Sequence, residues 1–229
     1  MEILSNGFTL EYSEGAFPLS TDSIALADFV KLPKEAKVLD LGAGCGTLGL
    51  LLCAKDPNCV VTGIEIDESA HLMALHNAQV NGIEGRYTSI CADLSLLPPG
   101  FPQGAYQVCV SNPPYFTGGP DSRSHAVARK EMMCSLDAVF AAAAAGLKYG
   151  GDFFLVHKPE RLAQICALGA KYKLEPKRLR LLRHRQDGPV TLVLVQCRKG
   201  GNPGLVWEEE FLHLSDGSQS DYYRRLYHI

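Results

Sequence analysis

Along the first two thirds of the chain, short apolar runs alternate with stretches whose apolar residues recur at helical spacing. The runs predict strands at 37–41, 59–65, 86–91, 106–111 and 152–157, and the intervening stretches predict helices at 47–54, 69–81 and 135–147. An amphipathic helix from Ser23 to Val30 precedes them, with Thr21 or Asp22 as its N-cap. A further helix at 160–171 leads to strands at 174–183 and 190–198, separated by the turn sequence Gln186-Asp-Gly-Pro189. Strand–helix alternation of this kind predicts an α/β, doubly wound, mostly parallel sheet, and the last hairpin adds an antiparallel edge strand. The pattern divides one domain over 1–229 into an N-terminal cap segment (1–33), a core (34–199) and a tail (200–229).

Composition narrows the class. With 229 residues, of which 46% are hydrophobic, the chain is long enough to bury a substantial core. No apolar run reaches the roughly 20 residues that span a bilayer, and the alanine run 141–145 is far shorter; no secretory leader is apparent at the start. The expectation is a soluble, cytoplasmic protein without a membrane contact. Eight cysteines never fall in a Cys-x-x-Cys pair, which predicts reduced thiols and neither a zinc site nor a disulfide framework.

The densest chemical signal is Asn112-Pro-Pro-Tyr115, directly after the strand that ends at Ser111. Two prolines cannot donate to a sheet ladder and hold the preceding residue extended, so the strand stops there with Asn112 at its tip. The Asn112 side-chain oxygen and the Pro113 carbonyl can accept both protons of an exocyclic amine, while Tyr115 offers a ring to a base. Alone, the tetrapeptide also fits a loop that merely ends a strand.

A second signal lies in Val38-Leu-Asp-Leu-Gly-Ala-Gly-Cys-Gly46, an apolar strand running through three alternating glycines into a helix. Such glycines let a ligand approach the backbone. The next strand ends in Glu65, nineteen residues after Gly46, a separation at which an acid holds ribose hydroxyls; Asp93 ends the strand after that, placed to accept from an adenine amino group. A dinucleotide is the competing ligand, but Thr47 stands where its fingerprint needs glycine. Asp40 at the mouth of the loop would repel a pyrophosphate and suits the ammonium and sulfonium charges of S-adenosylmethionine. Asp40, Gly42, Gly44, Glu65 and Asp93 therefore form the candidate cofactor set. Singly, each acid also fits a helix cap or a solvated carboxylate.

With these motifs in order, the chain resembles the class I S-adenosylmethionine-dependent methyltransferases, within them those carrying (Asn/Asp/Ser)-Pro-Pro-(Tyr/Phe/Trp). Gly7-Phe-Thr-Leu10, Thr21-Asp-Ser-Ile-Ala-Leu26, Val38 to Gly46, Asn112 to Phe116 and Val156 to Leu162 are similar to the bacterial tRNA(Val) adenine-N6 methyltransferases. The resemblance implies a Rossmann-like fold, a cofactor held by Asp40, Gly42, Gly44, Glu65 and Asp93, and an adenine held by Asn112, Pro113 and Tyr115. It further implies methyl transfer to the N6 amine of an adenosine beside the anticodon. The N2 amine of an rRNA guanine or the amide of a protein glutamine would ask the same motif for the same two acceptors. A module that binds cofactor or RNA without turnover is the reading from another class.

Charge adds a direction. The net charge is −3, yet residues 1–122 carry 5 Lys+Arg against 14 Asp+Glu, whereas 123–229 carry 17 against 11. An RNA partner is therefore expected on a C-terminal basic surface, built from Lys171, Lys173, Lys177, Arg178, Arg180, Arg183, His184 and Arg185, with Arg123, Arg129 and Lys130 after the motif. The alternation of those arginines with Leu179, Leu181 and Leu182 equally fits a solvated edge strand. His157-Lys158, at the end of the strand before them, reads as a capping or solvated pair and is left outside the catalytic set. The tail, with Tyr222, Tyr223, Arg224, Arg225 and Tyr227, fits packing of an amphipathic segment better than an RNA clamp. No obligate protein partner is evident.

Overall fold

The structure, a computed structural model, describes residues 2–4, 7–12, 19–115 and 135–227. Phe116, Arg123, Arg129, Lys130 and part of the N-terminal piece lie outside the described residues. An antiparallel pair, β1 (Glu2–Ile3) and β2 (Thr9–Leu10), precedes helix α1 (Thr21–Phe29). The cap of α1 is Ser20, whose side chain accepts from the Ser23 amide, and not Thr21 or Asp22. The core then runs β3 (Lys37–Leu41), α2 (Thr47–Lys55), β4 (Val60–Glu65), α3 (Glu68–Val80), β5 (Tyr87–Cys91), β6 (Tyr106–Ser111), α4 (Leu136–Gly146), β7 (Leu147–His157), α5 (Leu162–Lys171), β8 (Leu174–Arg185) and β9 (Val190–Lys199). Two elements follow, β10 (Val206–His213) and α6 (Asp221–Tyr227).

Eight strands form one sheet in the order β10-β8-β9-β7-β6-β3-β4-β5. Chain order reverses between β3 and β6. The β3-α2-β4-α3-β5 half winds outward to one edge with its helices on one face, and the β6-α4-β7-α5-β8 half winds the other way with α4 and α5 on the opposite face. A reversal of this kind leaves a crevice at the carboxyl ends of the two central strands, because their following loops diverge. The hairpin over 186–189 is present, and β9 is antiparallel to both β7 and β8. β9 lies inside the sheet, however. The edge on that side is β10, which pairs parallel with β8 from Val206↔Arg178 to His213↔Arg185.

That pairing changes the reading of the arginines. Glu208 stands directly across from Arg180, and α1 and α6 cover this face. Arg180 is only 8% exposed; its guanidinium donates to Asp28 Oδ2 at 2.7 Å, to Glu208 Oε2 at 2.9 Å and to the Tyr222 hydroxyl at 3.3 Å. Arg178 donates to Glu208 Oε1 at 2.9 Å, and both arginines stack over the Phe29 ring, 4.3 and 5.0 Å from its centroid. Lys171 pairs with Asp137 at 2.6 Å, and Lys177 donates to the Asn202 carbonyl. The middle of the basic run is thus an internal network that joins β8, β10, α1 and α6, not a phosphate surface. Lys55, at the last turn of α2, plays a similar internal part. Its ammonium donates to the carbonyls of Ala27, Asp28 and Val30, closing the otherwise unpaired C-terminus of α1.

No described helix is long and apolar enough to cross a membrane. The described cysteines are all free, with Cys91 and Cys166 exposed and the others buried.

Candidate active site

Viewed along the sheet from β5 to β7, the carboxyl ends of five adjacent parallel strands carry, in turn, Asp93, Glu65, the glycine loop, Asn112 and His157. The loop from Gly42 to Gly46 turns sharply because Gly42, Gly44 and Gly46 all take positive φ (72°, 55° and 85°), which only glycine adopts readily. A Cβ placed on Gly44 would meet nothing within 4 Å, so the outer face of the loop is open to a ligand. Glu65 reaches across from β4 and accepts from the Gly44 amide at 2.8 Å with one carboxylate oxygen and from the Asp67 amide at 2.9 Å with the other. Asp93 uses Oδ1 for both the amide and the hydroxyl of Ser95, each at 2.7 Å.

Asp40 is placed differently. It is fully buried on the face covered by α2, opposite Gly63 in register, and neither carboxylate oxygen has a hydrogen-bond partner. Burial pushes its pKa up to about 7, with the Glu65 charge adding to the rise, while the Gly49 amide in the first turn of α2 pulls the other way. The Tyr87 hydroxyl, also buried and unpartnered, lies on the same side, close against Gly46 and Gly63. Asp40 thus stands beneath the loop and contributes a nearby carboxylate, without a surface a ligand atom can touch.

On the other side of the crevice, Asn112 is held at both ends of its amide. Nδ2 donates to Ser23 Oγ on α1 at 3.0 Å, and Oδ1 accepts from the Tyr115 hydroxyl at 2.8 Å. Asp22, next to Ser23 in the first turn of α1, faces the same hydroxyl. Burial and then that carboxylate push the Tyr115 pKa upward, so the phenol stays protonated. The Tyr115 ring packs edge to face against His157, with centroids 5.1 Å apart, and the Lys158 ammonium lies 5.1 Å from its centre. Pro113 is buried beneath. His157 is 4% exposed and its Nδ1 accepts from the Lys158 amide at 2.8 Å. Burial, then the Arg161 charge, lowers its pKa to about 4, so the ring is neutral near pH 7.

The structure therefore brings Asn112, Tyr115, Glu65, Gly42, Gly44 and Asp93 to one rim and adds Asp22, Ser23, His157 and Lys158, which the motifs alone did not select. The signal for the first two was the Thr21-Asp22-Ser23 stretch, read as a helix start. The N-terminal segment closes the glycine-loop side. Asn77 of α3, fully buried, donates to the carbonyls of both Glu11 and Cys45, and Asn81 exchanges hydrogen bonds with Thr9. Among the described residues no three His, Cys, Asp or Glu side chains gather to hold a metal ion.

Known proteins share this fold. Over 91% of its length the chain superposes on 96% of a predicted O-methyltransferase from Agrobacterium tumefaciens, with TM-score 0.76 and 20% identity. It also matches a geranyl diphosphate methyltransferase solved with S-adenosylmethionine, with TM-score 0.56 and 16% identity over 77% of this chain and 84% of that one. Two curated relatives are both named tRNA1(Val) (adenine(37)-N6)-methyltransferase. The Aeromonas hydrophila protein is 28% identical over 96% of this chain and 92% of its own length, and the Shewanella loihica protein 31% identical over 73% and 71%. The protein is an S-adenosylmethionine-dependent methyltransferase with the Rossmann-like fold of that class. The chain belongs to the methyltransferase small domain family, whose model matches residues 16–168.

Proposed function

We propose that the protein methylates the exocyclic N6 amine of an adenosine in RNA, in the anticodon loop of a tRNA beside the anticodon, and that it works in the cytoplasm. The observation that carries this reading is an Asn-Pro-Pro-Tyr strand end on the rim of the crevice, in a chain whose relatives along nearly its full length bear the tRNA adenine-N6 name. S-adenosylmethionine, when bound, supplies an electrophilic methyl group. The open face of Gly44, the Glu65 carboxylate beside it and Asp93 at the next strand end fit its nucleoside, Gly42 shaping the loop, and Asp40 adds negative potential beneath it.

The remaining chemistry belongs to the chain. Ser23 and Tyr115 hold the Asn112 amide at its two ends; Oδ1 has two lone pairs, one taken by Tyr115 and one left for an amine proton. The Pro113 carbonyl would accept the second proton. Two acceptors in that position draw the planar nitrogen toward tetrahedral geometry and free its lone pair for attack in line with the methyl group. The proton leaves the methylated amine for solvent afterwards, so no general base is required. An anticodon-loop base is already partly unstacked, so presenting it costs less than extracting one from a duplex.

Incubating the protein with labelled S-adenosylmethionine and, in parallel, total tRNA, total rRNA and a release factor tests the assignment. Label in tRNA, mapped to N6-methyladenosine, is the expected result; label confined to rRNA or protein overturns it.

A further inference from the structure

Four rings form a continuous ladder on the rim that carries Asn112. His184 at the end of β8 lies 4.9 Å from His213 at the end of β10; His213 lies 5.2 Å from Tyr223, and Tyr223 4.6 Å from Tyr227, both on α6. The Tyr227 hydroxyl then meets Thr21 Oγ1 at 2.8 Å, two residues before Ser23, which holds Asn112, on the same helix. The ladder is anchored at its inner end by the helix that orients the reacting group, and its outer end, His184, is exposed.

Two features make this more than packing. Two interior aromatic pairs, Phe29 with Phe154 and Phe140 with Phe153, sit edge to face and fully buried. The ladder rings are tilted by 33° to 47°, and His213, Tyr223 and Tyr227 are only partly buried. The surrounding charges are also of a different kind from the buried arginine network. Arg185 and Arg224 meet Asp187 and Asp221 in solvent-exposed pairs at 3.4 and 3.7 Å, which contribute little, while Arg183 and Arg185 also donate to the carbonyls of Gly188 and Ser215.

We propose that His184, His213, Tyr223 and Tyr227 form a stacking platform for unpaired RNA bases next to the methylated one, with Arg183, Arg185 and Arg224 touching the phosphates between them. The proposal rests on the RNA reading above and gives it a surface. Aromatic rings in sequence with arginines beside them suit unpaired loop nucleotides, since every base offers a π-face, and do not suit a duplex, whose bases are already stacked.

Fluorescence anisotropy with a tRNA transcript tests it. His184→Ala, at an exposed position that leaves the fold intact, is expected to weaken binding several-fold, and Tyr223→Leu roughly tenfold, while Tyr223→Phe, which keeps the ring, retains the parent affinity. The salt dependence of binding should stay that of the parent for the ring variants and flatten for Arg185→Ala. The loss should appear in KM for RNA. Melting followed by circular dichroism confirms that each variant folds. Because binding is read without turnover, the two readings separate: ring-dependent affinity in a protein that methylates no RNA supports the platform and overturns only the activity. Methylation of tRNA with affinity unchanged in His184→Ala and Tyr223→Leu overturns the platform.

Discussion

The Tyr115 hydroxyl donates a 2.8 Å hydrogen bond to Oδ1 of Asn112, the same oxygen that the motif offers to a substrate amine. The tyrosine is thus both a ring beside the base and the donor that holds the acceptor in place. Asn112→Ala removes an oriented acceptor and should lower single-turnover methylation roughly 100- to 1,000-fold with cofactor affinity unchanged. From the motif alone the Tyr115 ring would suffice; the hydrogen bond instead predicts that Tyr115→Phe slows transfer about tenfold, and that Ser23→Ala does likewise by freeing the amide to turn. Parent rates in both would show that the amide needs no support.

Asp40 gives a stability prediction. Its folded pKa, about 7, lies above the usual 3.8, so the folded state holds a proton that the unfolded state releases, and stability falls as pH rises from 3.8 to 7 and stays reduced above that. Asp40→Asn should therefore stabilise the ligand-free protein at pH 8 by about 1 to 3 kcal/mol, a rise of several degrees in Tm, while weakening S-adenosylmethionine binding. Calorimetric melting and titration read the two effects separately.

His157 has the opposite sign. Its pKa is depressed from 6.5 to about 4, so the unfolded chain binds the proton first and stability is lost as pH falls from 6.5 toward 4. The loss should be on the order of 2 kcal/mol. His157→Gln should flatten the parent's decline in Tm over that window; an unchanged slope would show that His157 is not its source.

Close packing beneath the glycine loop is testable at Gly49, where a Cβ would meet the Tyr87 ring at 2.2 and 2.8 Å. Gly49→Ala should cost about 1 to 3 kcal/mol through overpacking. Urea unfolding of Gly49→Ala with Tyr87→Leu should show much of that loss recovered, because the smaller side chain removes the obstructing ring.

Arg180 should behave as a structural residue. Arg180→Met leaves Asp28 and Glu208 without their shared guanidinium and should destabilise by about 3 to 5 kcal/mol in urea unfolding. RNA affinity of the folded variant should match the parent. A well-folded Arg180→Met protein with weakened, less salt-dependent RNA binding would return the arginines to the surface reading.

Much of this molecule is written locally. Lys37–Leu41 and Tyr106–Ser111 follow from apolar runs bounded by loop residues, and the alternation with helices is enough to imply the central reversal and a crevice at the strand ends. The glycine loop, Glu65, Asp93 and Asn112 were legible because each is fixed by its place at a strand end and needs no distant partner to get there. β7 begins at Leu147 and not at 152, since Leu147 pairs with Tyr106 ahead of a shift in register that precedes Val108↔Asp152, a long-range contact the local pattern does not carry. β10 escaped for a related reason: Trp207-Glu-Glu-Glu210 reads as polar chain until its register sets Glu208 across from Arg180. Whether an arginine faces solvent or a carboxylate, whether Asp40 lies above or beneath its loop, and whether Asn112 is free or held by Ser23 and Tyr115 depend on contacts such as Asp28 with Arg180, 152 residues apart. Periodicity carries which face a residue takes on its own element; what covers that face is decided only when the sheet is assembled.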